Sequence, residues 1–395
     1  MNLQELYSIS VGQTISKPHI SEKYYPLPFN NYITIQPWSK PVKNYDYYVE
    51  VLSLLNPILE KNNIKIIQLG AANEPALPFC HQTQGTTNFG QLAYLIKNSK
   101  LHFGADSIGQ HLAGHFDIPL VDLVVNNYKK VVQPYFGNKD KQIILEPIRP
   151  EGHKPNFVLD GENPKSINSV CPIKIVESVL SLLNIPYKSE YKTLQIGCNY
   201  NSKIIEMLPD NAINIQNLNL NNIIIRMDYL FNEQVLFQQL NICKCTILTD
   251  KPINPQLLTA AKNQITEIIY NIKSAPDINF LKTLMNLKIP FRMISYLPDE
   301  ILNTYKLDLL DIPGFIIKQS ANMPQNFDIN NINKYAVKSS KLLLARGKIF
   351  PSYYHFNLGQ DIPSFDCPPM NLTDNNNLNQ FFLDSDWLYY LEKIS

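Results

Sequence analysis

From Asn98 to Pro119 the chain reads Asn-Ser-Lys-Leu-His-Phe-Gly-Ala-Asp-Ser-Ile-Gly-Gln-His-Leu-Ala-Gly-His-Phe-Asp-Ile-Pro. This is one strand–turn–helix unit. Leu101 to Gly104 is a short apolar run and Asp106 to Gly109 a turn of small and polar residues. From Gln110 onward apolar residues recur at helical spacing. A strand delivered straight into a helix suits an α/β architecture with a mostly parallel, covered sheet. The turn also carries chemistry. A helix N-terminus behind it presents free backbone N–H groups and the positive end of the helix dipole, a ready anion site.

The flanking sequence repeats the same alternation. Tyr32 to Gln36 is β-branched and alternating, and Ile64 to Gly70 is nearly continuous in apolar residues. Leu120 to Val125 is another strand. Helical spacing fills Tyr45 to Lys61 and Phe89 to Lys97, the second capped from Thr86–Asn88. A second β/α series starts at Thr193 to Gly197. Further strands are expected at Ile223 to Arg226, Thr246 to Thr249, Glu267 to Tyr270 and Phe291 to Ile294, with helices near 229–241, 255–263, 277–288 and 298–306.

The chain is therefore expected to divide into an irregular N-terminal arm (1–30), a first α/β domain (31–147) and a linker with a crossover helix (148–189). A second α/β domain (190–320) and an irregular tail (321–395), with a helix at 331–343, complete it. The fold class is α/β: two doubly wound, Rossmann-like domains facing across a cleft, a GT-B-like arrangement.

With 395 residues, 45% hydrophobic and 17% charged, the chain has material for two sizeable cores. A net charge of +1 marks no global field for nucleic acid or an acidic membrane, so a nucleic-acid partner is not indicated. Six cysteines without a Cys-x-x-Cys pair fit a reduced compartment. No signal peptide and no apolar run near the roughly 18 residues of a membrane span is visible. A cytoplasmic location is expected.

The ordered landmarks Leu92, Ala93, Leu95, Ile96, Leu101, Gly104, Asp106, Ser107, His111, Leu112, Ala113 and Pro119 resemble the donor-binding half of glycosyltransferase family 9, the ADP-heptose:lipopolysaccharide heptosyltransferases. Ile33 to Lys40 looks like that family's first strand and loop, Lys43 to Tyr48 its lysine-bearing segment, and Ile67 to Gly70 its second strand and glycine turn. The resemblance covers about residues 31–137. One position differs: the family's glycine follows the Ser/Thr directly, whereas here Ile108 intervenes before Gly109.

The resemblance implies a nucleotide-diphosphate sugar as donor substrate, without a cofactor and without a metal. Asp106, Ser107, Ile108, Gly109 and His111 would hold the diphosphate, with Lys43, Lys40 and Ser39 from the first strand end. Gly70, Asn73 and Glu74 would approach the nucleoside. The acceptor would be a glycan or another hydroxyl compound. In the family the acceptor domain comes first, so the domain order here looks permuted, and the catalytic base is expected in the second domain. Asp228 and Asp250, just past strand ends, are the candidates, with Glu267 a further option.

Competing readings of these residues are structural. Asp106 or Ser107 can be a plain N-cap, and His102 and His115 can satisfy local hydrogen bonds. Cys243 and Cys245 are expected on one strand face as structural thiols. Cys80–His81 lacks a third partner for nucleophilic chemistry. Asp384–Ser385–Asp386 has the metal-binding Asp-x-Asp form but sits in the tail. A non-catalytic binding protein and a sugar-nucleotide epimerase are the alternative functions.

Overall fold

The structure, a computed structural model, describes residues 1–149, 152–156, 165–200, 204–214, 222–319, 327–362, 370–371 and 385–394. It is mixed α/β with parallel sheets and divides into two compact units, Met1–Thr193 with Ile394–Ser395, and Leu194–Lys393.

The first unit holds six parallel strands: β1 (Tyr32–Gln36), β2 (Lys65–Gln68), β3 (Cys80–Gln82), β4 (His102–Ala105), β5 (Leu120–Leu123) and β6 (Gln142–Leu145). Their order in the sheet is β3-β2-β1-β4-β5-β6. This is a doubly wound order, and the winding reverses between β1 and β4. Apart from the short Leu3–Val11 helix α1, the main helices are α2 (Tyr48–Lys61), α3 (Phe89–Lys97), α4 (Ile108–His115), the single turn α5 (Lys129–Val132) and α6 (Pro172–Leu182). α3 and α4 bury Ala93, Leu95, Ile96, Leu112 and Ala113 against Tyr32, Ile67, Leu69 and Leu120. α6 packs against α2 and β5, so the expected crossover helix belongs to this unit.

The second unit begins within β7 (Tyr191–Ile196) and continues with β8 (Ile204–Met207), β9 (Asn222–Arg226), α7 (Glu233–Ile242), β10 (Cys245–Thr249) and α8 (Pro255–Ala261). β11 (Ile265–Asn271), α9 (Ile278–Leu287), β12 (Phe291–Ser295), α10 (Asp299–Thr304) and β13 (Ile316–Lys318) continue the alternation. The C-terminal segment adds β14 (Tyr335–Ser339), β15 (Leu342–Ala345), β16 (Lys348–Phe350), α11 (Tyr353–Asn357), β17 (Met370–Asn371) and β18 (Leu388–Lys393). The main sheet runs β13-β12-β11-β10-β9-β8-β15-β16, and a smaller one runs β17-β14-β18-β7.

Four expectations are corrected. The helix expected at 331–343 is replaced by the end of a 3-10 segment, Ile329–Lys334, followed by β14 and β15, because β15 pairs in parallel with β8 and β14 pairs antiparallel with β18. The arm is not wholly irregular, since Asn2 and Glu5 close a capping box on α1. The strand ending at Gly197 belongs to the smaller sheet. Its glycine is required because a Cβ there would overlap the backbone of Asp386. Cys80–Gln82, expected as loop, is the edge strand β3. Cys367 and Asp384 lie outside the described residues.

Candidate functional site

The first site is built where β1 and β4 end, at the point of reversal of the first sheet. Open α/β sheets bind ligands in the crevice at this position. The chain leaves β1 through a 3-10 turn, Pro41–Lys43, which brings the Lys43 ammonium back over the sheet edge. It leaves β4 through Asp106 and Ser107 into α4. Lys43 Nζ lies 2.6 Å from Asp106 Oδ2, with both side chains largely buried. The same ammonium and the Ser39 hydroxyl each donate to the Asp106 carbonyl at 3.3 Å. Gln110, one turn into α4, donates its amide to Asp106 Oδ1. The Asp106 carboxylate thus anchors Lys43, instead of facing a ligand by itself.

Close approach of backbone makes this geometry possible. Gly104 has φ +152°, and a Cβ there would overlap Gln36 O and lie 2.8 Å from Gln36 C. Gly109 is tight in the same way: a Cβ would lie 2.6 Å from both Gln36 Oε1 and His102 Nε2. The second residue of α4 is thus the one pressed on the sheet. Ile108, the first, is 46% exposed. The Gly109 N–H already donates to Gln36 Oε1 at 3.1 Å, so it is engaged in this state.

The plain-cap reading does not describe this turn. Ser107 occupies the N-cap position of α4 but makes no side-chain cap bond. Its hydroxyl is buried without a hydrogen-bond partner among the described residues. His111 Nδ1 is in the same condition. Burial holds the His111 imidazolium below its ordinary range, with Asp106 acting against that shift and Lys43 adding to it.

Beneath the turn sits a residue that the sequence did not single out. Gln36, Gly104 and Asp122 form one row across β1, β4 and β5. Asp122 shares the sheet face of Leu120, which packs on α4. Asp122 is 1% exposed, and neither carboxyl oxygen finds a partner among the described residues. Burial pushes its carboxyl well above the usual carboxylate range; the Asp106 charge adds to this and Lys43 opposes it. Its signal in the sequence was one carboxylate inside the apolar run Leu120 to Val125.

The remaining first-unit candidates lie around the β2 end. Gly70 has φ +154°, and a Cβ would overlap the Glu74 carboxylate. Glu74 Oε2 accepts from the Ala71 N–H at 3.0 Å, closing its own turn, and burial raises its pKa. Asn73 and Lys40 are exposed. Trp38 Nε1 donates to Pro75 O at 2.9 Å, tying the β1 and β2 end loops together. His102 donates or accepts at Thr34 Oγ1 at 3.0 Å and is held neutral by burial, its pKa brought down to about 3. His115 packs edge-on against Phe116 and Phe136. Burial pushes the Cys80 thiol up to about 12, away from the thiolate form.

The second unit has a cavity of about 540 Å³ at the carboxyl ends of its parallel strands. Arg226 is its organising side chain. It binds Asp228 through two bonds, 2.8 and 2.9 Å, and Glu206 at 2.6 Å, and its guanidinium lies 3.6 Å over the Tyr229 ring. Lys341 pairs with the other Glu206 oxygen at 3.0 Å. Burial alone would raise Glu206, but Arg226 and Lys341 more than offset it and hold the carboxyl below its usual range. Asp228 lines this cavity with both carboxylate oxygens engaged by Arg226. Asp250 does not line it and pairs with Lys273 at 2.8 Å. Glu267 pairs with Arg292 at 2.9 Å. Cys243 and Cys245 sit with sulfurs 3.6 Å apart, but they do not share a strand face: Cys243 caps the end of α7 and only Cys245 lies in β10. Among the described residues no group of three or more His, Cys, Asp or Glu side chains is placed to hold a metal, and no helix is long and apolar enough to cross a membrane.

No protein-family model matches the chain, and no curated protein matches its sequence. Among solved structures it is similar to an ADP-heptose LPS heptosyltransferase II from E. coli, with 19% identity over 46% of this chain and 51% of that one, TM-score 0.31. It is also similar to a family 9 glycosyltransferase from Veillonella parvula, with 18% identity over 46% and 50%, TM-score 0.32. A third is the E. coli heptosyltransferase WaaC with ADP, with 17% identity over 37% and 49%, TM-score 0.27. The chain spans about half the length of each of these structures.

Proposed function

We propose that the protein is a glycosyltransferase that takes its sugar from a nucleotide-diphosphate donor and passes it to a hydroxyl acceptor, a glycan or another hydroxyl compound. The observation that carries this reading is the pairing of Lys43 with Asp106 where the first sheet reverses. A cation held beside a helix N-terminus suits a diphosphate leaving group, whose negative charge grows as the glycosidic bond breaks. Lys43, the Ser107 hydroxyl and the first N–H groups of α4 would take up that charge without a metal. Asp106 acts through Lys43, Ser39 and Lys40 border the site, and Gly70, Asn73 and Glu74 lie on the nucleoside side.

The acceptor base is assigned to the second unit, with Asp228 ahead of Asp250 because it lines the cavity. One observation favours a second reading. Both carboxylates are held by cations, Asp228 by Arg226 and Asp250 by Lys273, so neither is poised to accept a proton as found. A protein that binds a nucleotide sugar without transferring it would show the same arrangement.

Incubation with a panel of nucleotide-diphosphate sugars, with and without hydroxyl acceptors, separates the readings. A transferase releases nucleoside diphosphate in an acceptor-dependent manner. Binding without release supports the second reading, and a donor altered at one sugar carbon would reveal an epimerase.

A further inference from the structure

The β1–β4 site is neutral only because its charges cancel internally. Lys43 is its cation and Asp106 its anion, 2.6 Å apart and sequestered from water. The other titratable groups are Asp122 on β5, His102 on β4 and His111 on α4, with the Tyr48 hydroxyl at the start of α2. Asp122 carries no partner on either oxygen and is 1% exposed. Tyr48 is 1% exposed and its hydroxyl also lacks a partner among the described residues. His102 is engaged on Thr34 and lies under Gly109. His111 presents a buried, unpartnered Nδ1 and feels both Asp106 and Lys43.

An anion that captures Lys43 therefore changes the balance of the whole cluster. The ammonium moves to the ligand. Asp106 keeps its negative charge, now beside a second anion and held only by the Gln110 amide. A buried carboxylate stripped of its counter-ion is costly. Two ring nitrogens in the cluster are buried without a partner among the described residues, His102 Nε2 and His111 Nδ1; the His111 ring is the one that interacts with both Asp106 and Lys43, and it can take up charge without moving a helix. Burial still opposes a charged ring, but the repulsion from Lys43 is removed when the ligand neutralises it, and the ligand adds negative charge next to the ring beside that of Asp106.

We propose that anion capture at this site is coupled to the uptake of one proton from solvent, received by His111 Nδ1, which takes over from Lys43 as the counter-ion of Asp106. The proposal rests on the donor-diphosphate reading of the site and names its regulation: the protein would bind its diphosphate ligand more tightly as pH falls from about 8 towards 6.

The test is calorimetric titration of the full chain with inorganic pyrophosphate, and separately with ADP, UDP and GDP, at pH 7. Each is measured in two buffers of different ionisation enthalpy. The expected result is net uptake approaching one proton in the parent relative to His111→Gln, a comparison that cancels the ligand's own ionisation. His111→Gln should bind pyrophosphate more weakly than the parent near pH 6 and should lose the pH dependence. Pyrophosphate binding with equal proton numbers in parent and variant overturns the proposal and leaves the donor reading standing. Pyrophosphate binding with proton uptake, but no binding of any nucleoside diphosphate, retains the proposal and defeats the donor reading. No binding of either overturns both. A second measurement needs no ligand: the His111 ring resonance, assigned by its loss in His111→Gln, should report a neutral imidazole at pH 7. A charged ring there also overturns the proposal.

Discussion

Gly104→Ala is the sharpest test of how the site is built. Gly104 has φ +152°, a conformation that side chains rarely adopt, and an added Cβ would overlap the carbonyl oxygen of Gln36. Further contacts at 2.8 Å to Gln36 C and 3.0 Å to Gln36 N are with backbone as well, so no side-chain rotation relieves them. Backbone strain of this kind costs about 1–3 kcal/mol. Overpacking between two paired strands adds about 1–3 kcal/mol. A loss near 4 kcal/mol corresponds to a fall in Tm of roughly 8–16 °C for a unit of this size. Gly347→Ala is the matched control. It has φ +69° with nothing within 4 Å of the added Cβ, so it carries only the conformational part, about 1–2 kcal/mol. Thermal unfolding followed by circular dichroism compares the two. Because the clash would part β1 from β4, Gly104→Ala should also weaken diphosphate binding, measured below the transition. Equal Tm losses in the two variants would refute the claim that strand contact at Gly104 sets the site.

Three further outcomes follow from the electrostatics. Arg226→Met should destabilise the second unit by about 3–5 kcal/mol in urea denaturation, because Asp228 is left as a buried charge without its cation and Glu206 keeps only Lys341. Arg226→Lys should recover only part of this, since an ammonium cannot make the two-bond contact with Asp228; parent-like stability of Arg226→Met would contradict the reading. Asp122 has a raised folded-state pKa, so its contribution favours the fold below the unfolded value of about 3.9 and is lost as pH rises towards the folded value. Asp122→Asn should accordingly stabilise the protein at pH 7.5 while changing little at pH 4, and a pH-independent difference in Tm would show that Asp122 is ionised in the fold. Glu206 has the opposite sign: its folded pKa is depressed, so its contribution is present above about 4.3 and fades as pH falls below that, which Glu206→Gln should remove from the acid limb of the stability curve.

The first sheet was legible because its strands are apolar runs separated by helices with clear spacing, from Tyr32 to Gln36 through Leu120 to Leu123. Its edges were not. Cys80–Gln82 is three residues long and reads as loop, and Gln142–Leu145 is only half-buried, so neither carries a strong pattern. In the C-terminal segment the sequence spacing favoured a helix where β14 and β15 form, because partners distant in sequence, β18 and β8, decide those strands. At the site, Lys43, Asp106 and Ser107 were legible through turn chemistry and resemblance. Gln36 and Gln110 were not, since an amide gains its role only from what folding places opposite it. The grip of Arg226 on Asp228 was hidden although the two are close in sequence. A strand-end arginine followed by an aspartate says nothing of burial until Glu206 and Lys341 close around it.

The central claim is that Lys43 at the reversal point of the first sheet receives a nucleoside diphosphate. Calorimetric titration of ADP, UDP and GDP into the parent and Lys43→Met tests it directly. The account predicts that at least one of them binds the parent, and that the variant loses roughly 10- to 150-fold in affinity, the worth of one charge-assisted hydrogen bond of about 1.5–3 kcal/mol. Binding that is unchanged in Lys43→Met, or no binding of any of the three to the parent, would contradict it.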